Sequence, residues 1–362
     1  MVATSDLAIN KIEDQENDWD EIIPFEYSIT SYGADYPVDS LVKRINNNDI
    51  YVPSFQRGYV WKIKDASRLI ESLLLGLPVP GIFLAREPET QKLLVIDGQQ
   101  RLKTIQYFYN GIFEPSKKEF ALEKVNTRFI GLTYKTLSEE DRRRLDDSII
   151  PATIVKQDEP SSDLSSIYHI FERLNTGGKN LQAQEVRACI YHGKFEKLLK
   201  ELNHNPVWRS IYSQNPDERM RDQELILRFF ALYFDGKNYK KPMKGFLNNF
   251  MGKNRHCQIY SQEALRQIFN KTIDIIDKTI GAHAFKPKQS FNASIFDAIM
   301  VGIATQISVS EIGDNDSIRF AYNQLLVNEK FQEVTVNTAR TTDKNEVDTR
   351  LDMAIKAFAN TK

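Results

Sequence analysis

The sequence predicts an α+β protein, in which strands and helices mix in the first half of the chain and helices alone follow. Apolar runs of strand length lie at 81–85, 93–96 and 149–155. The 362 residues are 41% hydrophobic and 27% charged, which excludes a fully disordered chain. Helical spacing of apolar residues predicts later helices at 195–203, 217–235, 261–281, 291–308, 314–328 and 346–359.

Turn and cap residues divide the first part of the chain into elements. Residues 38–45 form a short helix candidate, and a β-leaning run follows over 50–61. The next helix has Asp65 as its capping residue and ends at Gly76. The runs at 81–85 and 93–96 are joined by a Pro-containing turn, so we expect them to form an antiparallel hairpin.

Further helices and one strand are expected between residues 100 and 195. A helix over 100–110 ends at Gly111, and a second helix over 138–145 has acidic residues in its first turn. The run at 149–155 is a strand, and its proline predicts that it lies at a sheet edge. Helices over 163–174 and 182–191 follow.

The net charge of −1 hides two regions of opposite charge. Residues 1–40 contain ten acidic residues and one basic residue, and residues 1–34 are interpreted as an acidic N-terminal arm. Residues 236–290 contain eleven basic and three acidic residues. This separation indicates contact with a polyanion, although two solvated surfaces would give the same pattern. The candidate nucleic-acid contacts are Lys240, Lys241, Lys244, Lys253 and Arg255.

Composition also excludes several classes of protein. No stretch approaches the roughly 18 apolar residues of a membrane-spanning helix, so no membrane partner is expected. The acidic N-terminus lacks the apolar segment of a signal peptide, so Cys189 and Cys257 are expected to be reduced thiols of a cytoplasmic protein. The five histidines have neither the spacing of a zinc site nor the clustering of an HNH-type nuclease core.

The segment Asp97-Gly98-Gln99-Gln100-Arg101 leaves an apolar strand, turns at a glycine and enters a helix. Backbone N–H groups and the positive helix end then point at one spot, where Arg101 can add a bidentate phosphate contact. Gln99 and Gln100 can donate to phosphate oxygens or hold a water, and Asp97 can position a metal or orient Arg101. The alternative is a tight turn in which Asp97 caps the helix.

Two further segments carry candidate binding residues. Gln56-Arg57 lies between large apolar residues that can fix Arg57 toward a cleft, or Arg57 can stack on a neighbouring aromatic ring. Glu172 and Asn175 are three residues apart near a helix end, where a carboxylate and an amide oxygen suit Mg²⁺. A helix C-cap with a salt bridge would explain the same pair.

Four motifs in chain order carry a family resemblance: VPSFQRGYVW, SLLLGLPVPGIFL, IDGQQRLKTI and FERLNTGGKNLQAQEVR. They resemble the DGQQR family of ParB/sulfiredoxin-like proteins. This family includes the S half of GmrSD modification-dependent restriction enzymes and the N-terminal region of the phosphorothioate-sensing protein SspE. The resemblance covers about residues 35–195.

The resemblance implies a ParB/sulfiredoxin-like mixed-sheet core at 35–195 that binds and hydrolyses a nucleoside triphosphate, followed by a helical domain at 196–362. Asp97, Gln100 and Arg101 would act in hydrolysis, and Glu172 and Asn175 would hold Mg²⁺. The residues implied to contact the nucleotide are Gln56, Arg57, Gly98, Gln99, Lys103 and Thr104.

We therefore expect an NTP-binding, NTP-hydrolysing component of a prokaryotic defence system that acts on foreign DNA and has no HNH nuclease domain of its own. The expected partners are DNA and a nuclease or ATPase chain, and the sequence is compatible with a homo-oligomer. Two alternatives stay open. One is a non-enzymatic sensor of DNA modification, and the other is a ParB-like metal-dependent DNA nuclease.

Overall fold

The computed structural model describes residues 28–52, 59–159, 167–170, 182–287, 290–309, 315–337 and 340–359. Contacts divide the chain into two compact units between Leu181 and Gln182, whereas the sequence analysis places the boundary after residue 195. The first unit is built on a mixed sheet and the second is helical, which confirms the predicted fold class. In the described residues, no helix is both long and apolar enough to cross a membrane.

The strands of the first unit are β1 (Ser28–Pro37), β2 (Ile50–Tyr51), β3 (Ile82–Arg86), β4 (Leu93–Asp97), β5 (Ile112–Phe113), β6 (Lys118–Glu119) and β7 (Ile149–Glu159). Five of them form one sheet in the order β1-β7-β3-β4-β2. The pairs β1–β7 and β3–β4 are antiparallel, which confirms the predicted hairpin, whereas β3–β7 and β2–β4 are parallel. β5 and β6 form a small antiparallel sheet.

The helices of this unit are α1 (Val38–Asn46), α2 (Ile63–Leu74), α3 (Gln99–Asn110) and α4 (Glu139–Asp146). All four follow the predicted segments. The Asp65 carboxylate accepts a bond from the N–H of Lys62 at 3.4 Å, and Ser138 Oγ accepts one from Asp141 at 3.1 Å. Gly111 ends α3 in the left-handed region at φ 77°.

The prediction that Pro151 lies on an edge strand is wrong. β7 is an internal strand, because β1 covers the side that was expected to be free. β3 pairs with β7 only from Ala152 onward, so the missing N–H of Pro151 falls just before that ladder begins. The prediction fails because the SITSYGADYP segment of β1 has little apolar alternation and gives no strand signal.

The core of the first unit lies between the sheet and its helices. Leu84, Val95 and Ile154 are register neighbours on adjacent strands, and all three are buried. Burial of side chains of this size contributes about 1.5–3 kcal/mol each, so these three residues stabilise the sheet at β3, β4 and β7. The helices contribute Val38, Leu41, Ile70, Leu74, Leu102 and Ile105.

The helices of the second unit are α5 (Ala183–Ile190), α6 (Lys194–Leu202), α7 (Pro206–Ile211), α8 (Arg221–Asp235), α9 (Met243–Lys253), α10 (Gln262–Thr279), α11 (Ala293–Val309), α12 (Asn315–Val327), α13 (Glu329–Thr335) and α14 (Lys344–Ala359). The sequence analysis missed α7, α9 and α13. Two of these are short, and α9 follows a lysine-rich segment without clear periodicity. Of the helix predicted over 163–174, residues 167–170 are described and helical.

A buried ion cluster joins three helices of the second unit. Asp297 on α11 accepts bonds from Arg228 Nε at 2.9 Å and from Arg350 Nη2 at 2.7 Å. The Asp297 side chain is fully buried, and the two arginine side chains are 8% and 0% exposed. One carboxylate thus compensates two guanidinium groups that have little access to water.

Candidate functional site

The turn between β4 and α3 depends on Gly98. Its φ of 101° lies in the left-handed region, which glycine adopts without a steric penalty. A Cβ atom at this position would lie 2.4 Å from Cγ2 of Ile82 on the neighbouring strand. Both the backbone conformation and the close packing therefore require glycine at position 98. The Gly98 carbonyl accepts the first helical hydrogen bond, from the N–H of Leu102 at 2.9 Å.

We expect Gly98→Ala to destabilise the protein by about 2 kcal/mol or more, because the backbone strain adds to a clash with Ile82. Gly111→Ala is a matched control, since Gly111 also has a positive φ but its added Cβ would meet no atom within 4 Å. That variant should lose about 1 kcal/mol. Urea unfolding of both variants measures the difference, and equal losses would show that the Ile82 contact does not matter.

A bulge in β4 sets the direction of Asp97. Phe83 pairs with Asp97 and Leu84 pairs with Val95, so Ile96 is an extra residue on β4. A bulge of this kind interrupts the alternation of side chains between the two faces of a sheet. Asp97 therefore shares the face of Phe83, away from the buried face of Leu84 and Val95.

Asp97 and Arg101 form an ion pair one helical turn apart. Arg101 Nη2 donates to Asp97 Oδ2 at 2.8 Å and to the carbonyl oxygen of Gly81 at 2.9 Å. The Arg101 side chain is 16% exposed, and its Nε is buried without a hydrogen-bond partner among the described residues. The guanidinium is thus held in one orientation by two acceptors, and the bond to Asp97 corresponds to one of the alternatives given for that residue, the orientation of Arg101.

Asp97 and Arg101 line a cavity of about 730 Å³ where β1, β7, β3 and β4 lie side by side. Its walls also include Asp35 and Thr153, and a volume of this size suits a small-molecule ligand. The remaining lining residues are Gly33, Ala34, Pro80, Gly81, Ile82, Phe83, Pro151 and Ala152.

The sequence analysis missed Asp35 and Thr153 as candidate site residues. Thr153 pairs with Phe83 on one side and Gly33 on the other, so the sheet register brings it into the same row as Asp97. The pairing of β7 with β3 reveals the position of Thr153, and the pairing of β1 with β7 reveals that of Asp35. Neither residue belongs to a motif. An exposed Asp35 in a segment without strand periodicity gave no signal.

Gln100 and Thr104 lie on α3 but do not line the cavity. Gln100 Oε1 accepts bonds from the N–H groups of Val60 and Trp61 at 3.0 and 3.3 Å. Thr104 Oγ1 lies 2.6 Å from the hydroxyl oxygen of Tyr59 and donates to the Gln100 carbonyl at 2.7 Å. These two side chains therefore anchor the segment that follows Gly58, and their predicted roles in hydrolysis and nucleotide binding stay predictions.

Six other candidate residues either lie away from the cavity or fall outside the described part of the chain. Gln99 is buried and Lys103 is half-buried, and neither lines the cavity. Burial lowers the pKa of the Lys103 ammonium group. The Gln56-Arg57 pair and the Glu172/Asn175 pair lie outside the described residues. Within the described residues, no group of three or more His, Cys, Asp or Glu side chains could hold a metal.

The predicted nucleic-acid contacts do not all lie together. Lys240, Lys241 and Lys253 line one groove of the helical unit, whereas Lys244 and Arg255 are outside its lining. Arg255 is half-buried, and its Nε donates to the carbonyl oxygen of His192 at 2.7 Å. This arginine therefore connects two segments of the helical unit.

Residues 38–192 match the family model of the GmrSD restriction endonuclease, N-terminal domain. We call residues 38–192 the GmrSD-type region, because they are similar to that domain. The match confirms the resemblance that the four motifs indicate, and it contains the whole segment from Asp97 to Arg101. No curated protein matches the chain. The GmrSD-type region ends just after α5, so the groove lined by Lys240 lies beyond the matched residues.

Proposed function

We propose that this protein is an NTP-binding and NTP-hydrolysing component of a defence system that acts on foreign DNA. The observation that carries the proposal is the Asp97–Arg101 pair, which lines a 730 Å³ cavity and lies in the GmrSD-type region. The choice of a nucleoside triphosphate as the ligand rests on the resemblance to DGQQR proteins. The partner chain that completes such a system, a nuclease or an ATPase, is part of the same proposal.

In this proposal Arg101 contacts the phosphates and Asp97 positions it. Because Asp97 and the Gly81 carbonyl hold Nη2, the guanidinium pays little rotational entropy when an anion binds. An oriented arginine stabilises the negative charge that develops as the terminal phosphate leaves. Thr153 can donate its hydroxyl to a phosphate oxygen from the opposite side of the cavity.

The charge balance of the cavity requires a cation for this ligand. Asp35 and Asp97 contribute two negative charges to the cavity, and Arg101 contributes one positive charge. This excess of negative charge would by itself repel a triphosphate. Mg²⁺ is commonly held by one or two carboxylates together with phosphate oxygens and waters. Asp35 and Asp97 fit that donor set, so these residues would hold Mg²⁺ and the ion would neutralise phosphate charge.

We therefore expect nucleotide binding to depend strongly on a divalent cation. Titration of each nucleoside triphosphate into the full chain by calorimetry should detect binding with Mg²⁺ and a loss of at least about tenfold in affinity with EDTA. Asp35→Asn should reduce the dependence on Mg²⁺, whereas Asp39→Asn, which changes an exposed carboxylate outside the cavity, should leave it unchanged. Equal affinity with Mg²⁺ and EDTA would contradict the proposed role of the two carboxylates.

A second candidate is a sensor that binds a modified phosphate or base and hydrolyses nothing. The observation that favours it is that Asp97 already engages Arg101, which leaves less positive charge for a triphosphate. The two candidates differ in turnover, because a sensor would bind modified DNA in the same cavity without releasing phosphate from any nucleotide. Metal-dependent nicking of DNA by the purified chain would instead select the nuclease alternative.

A further inference from the structure

A groove on the helical unit is lined by residues from the end of α8, from the segment before α9, from α9 itself and from the start of α14. Its volume is about 540 Å³. All five lysines in its lining are exposed, and Asp235 is the one acidic residue among its described lining residues. The lysines are Lys237, Lys240, Lys241, Lys253 and Lys344.

Two of the lysines are compensated by nearby carboxylates, and three are not. Lys241 Nζ lies 2.9 Å from Asp343, and Lys344 Nζ lies 3.0 Å from Asp348. For the described residues, no ion pair involves Lys237, Lys240 or Lys253. Asp235 accepts a bond from Asn238 at 2.7 Å. The groove therefore keeps a net positive charge that its own residues do not neutralise.

The segment that carries Lys237, Lys240 and Lys241 is held in place by the core. Tyr239 is fully buried between these lysines, and its hydroxyl donates to the carbonyl oxygen of Thr342. Its ring packs edge-on against Phe246 of α9 at a centroid distance of 5.1 Å. Because the backbone is anchored here, only the lysine side chains, and not the segment itself, lose conformational freedom when an anion binds.

We propose that this groove binds the phosphodiester backbone of DNA. Its uncompensated lysines come from separate segments, an arrangement that suits an extended polyanion. Asn238 and Asn249 add amide donors for phosphate oxygens. The choice of DNA rests on the proposed function in defence against DNA. The groove lies outside the GmrSD-type region, so it is a binding surface separate from the cavity at Asp97.

The test is the salt dependence of DNA binding by the full chain. A variant with Lys237→Gln, Lys240→Gln and Lys253→Gln is compared with a control that carries Lys197→Gln, Lys271→Gln and Lys278→Gln. The control lysines are exposed on α6 and α10 and lie outside the groove, so both variants lose the same charge. Anisotropy of a short fluorescent duplex is measured over a range of salt concentrations.

We expect the slope of log K against log salt to become shallower by about 2.7 in the groove variant, because each lysine that contacts a phosphate contributes about 0.9. The control should keep a slope close to that of the unchanged protein. Equal slopes for the two variants would overturn the proposal. Tighter binding of the unchanged protein to polyglutamate or to phosphatidylserine vesicles than to the duplex would also overturn it, in favour of an acidic protein or a membrane.

Failure of this inference can be separated from failure of the proposed function. The groove variant should retain nucleotide binding and phosphate release, because none of its three positions lines the cavity at Asp97. A change in DNA slope without any nucleotide turnover would support the groove and reject the NTPase. Turnover together with an unchanged DNA slope would support the NTPase and reject the groove.

Discussion

If the protein hydrolyses a nucleoside triphosphate as proposed, replacement of Arg101 by alanine should reduce the rate by about a hundredfold or more, because the group proposed to stabilise charge on the transferred phosphate is lost. The Arg101 guanidinium is also the only positive charge among the described residues that line the cavity. Release of inorganic phosphate at saturating nucleotide and Mg²⁺ measures the effect. Arg68→Ala is the matched control, since Arg68 is exposed on α2 and lies outside the cavity.

Arg101→Lys separates the chemical role from a structural one. Lysine keeps the positive charge but lacks the planar guanidinium whose Nη2 donates to both Asp97 and Gly81, so this variant should fold and hydrolyse slowly. Thermal unfolding of all three variants shows whether the fold survives. Hydrolysis by Arg101→Ala at the rate of the unchanged protein would contradict the role given to this residue.

Replacement of Asp297 by alanine should have the largest effect on stability, a loss of about 3–5 kcal/mol in the free energy of unfolding. The change removes the carboxylate shared by Arg228 and Arg350, and it leaves two guanidinium groups buried without their counter-charge. The free energy of unfolding of a single domain is usually only about 5–15 kcal/mol, so this loss would remove a large fraction of it. Urea unfolding followed by circular dichroism measures the loss.

Asp348→Ala is the matched control for this change. Asp348 pairs with Lys344 near the surface, and its side chain is 44% exposed. Exposed pairs of this kind contribute little, so the control should lose less than about 1 kcal/mol. If Asp297→Ala were no less stable than Asp348→Ala, the buried cluster would not be needed to hold α8, α11 and α14 together.

Local sequence chemistry predicts the elements of this fold better than their arrangement. Gly111 ends α3 as predicted, whereas Lys62 occupies the N-cap of α2 and Asp65 bonds it from the third helical position. Such contacts involve residues only a few positions apart. The internal place of β7 depends on pairing with β1 across more than a hundred residues. The presence of Pro151 predicted an edge strand. The structure shows why a proline is tolerated there, because the pairing of β3 with β7 begins only at Ala152.

The candidate site was predictable to a similar extent. The turn at Gly98 and the Asp97–Arg101 pair follow from a strand, a glycine and a helix in immediate succession. The two charged residues at the start of α5 pair with residues outside this helix. Glu185 pairs with Arg219 at 2.9 Å, and Arg187 pairs with Glu224 at 2.7 Å. Such choices depend on which helices pack together, and a single sequence does not contain that information.

We propose that the GmrSD-type region of this chain hydrolyses a nucleoside triphosphate in the cavity lined by Asp97 and Arg101. The most direct test of this claim is release of inorganic phosphate from each of the four nucleoside triphosphates by the purified full chain with Mg²⁺, with and without DNA. We predict turnover of at least one nucleotide, lost on Arg101→Ala and retained on Arg68→Ala. Absence of phosphate release from all four nucleotides under both conditions would contradict the claim.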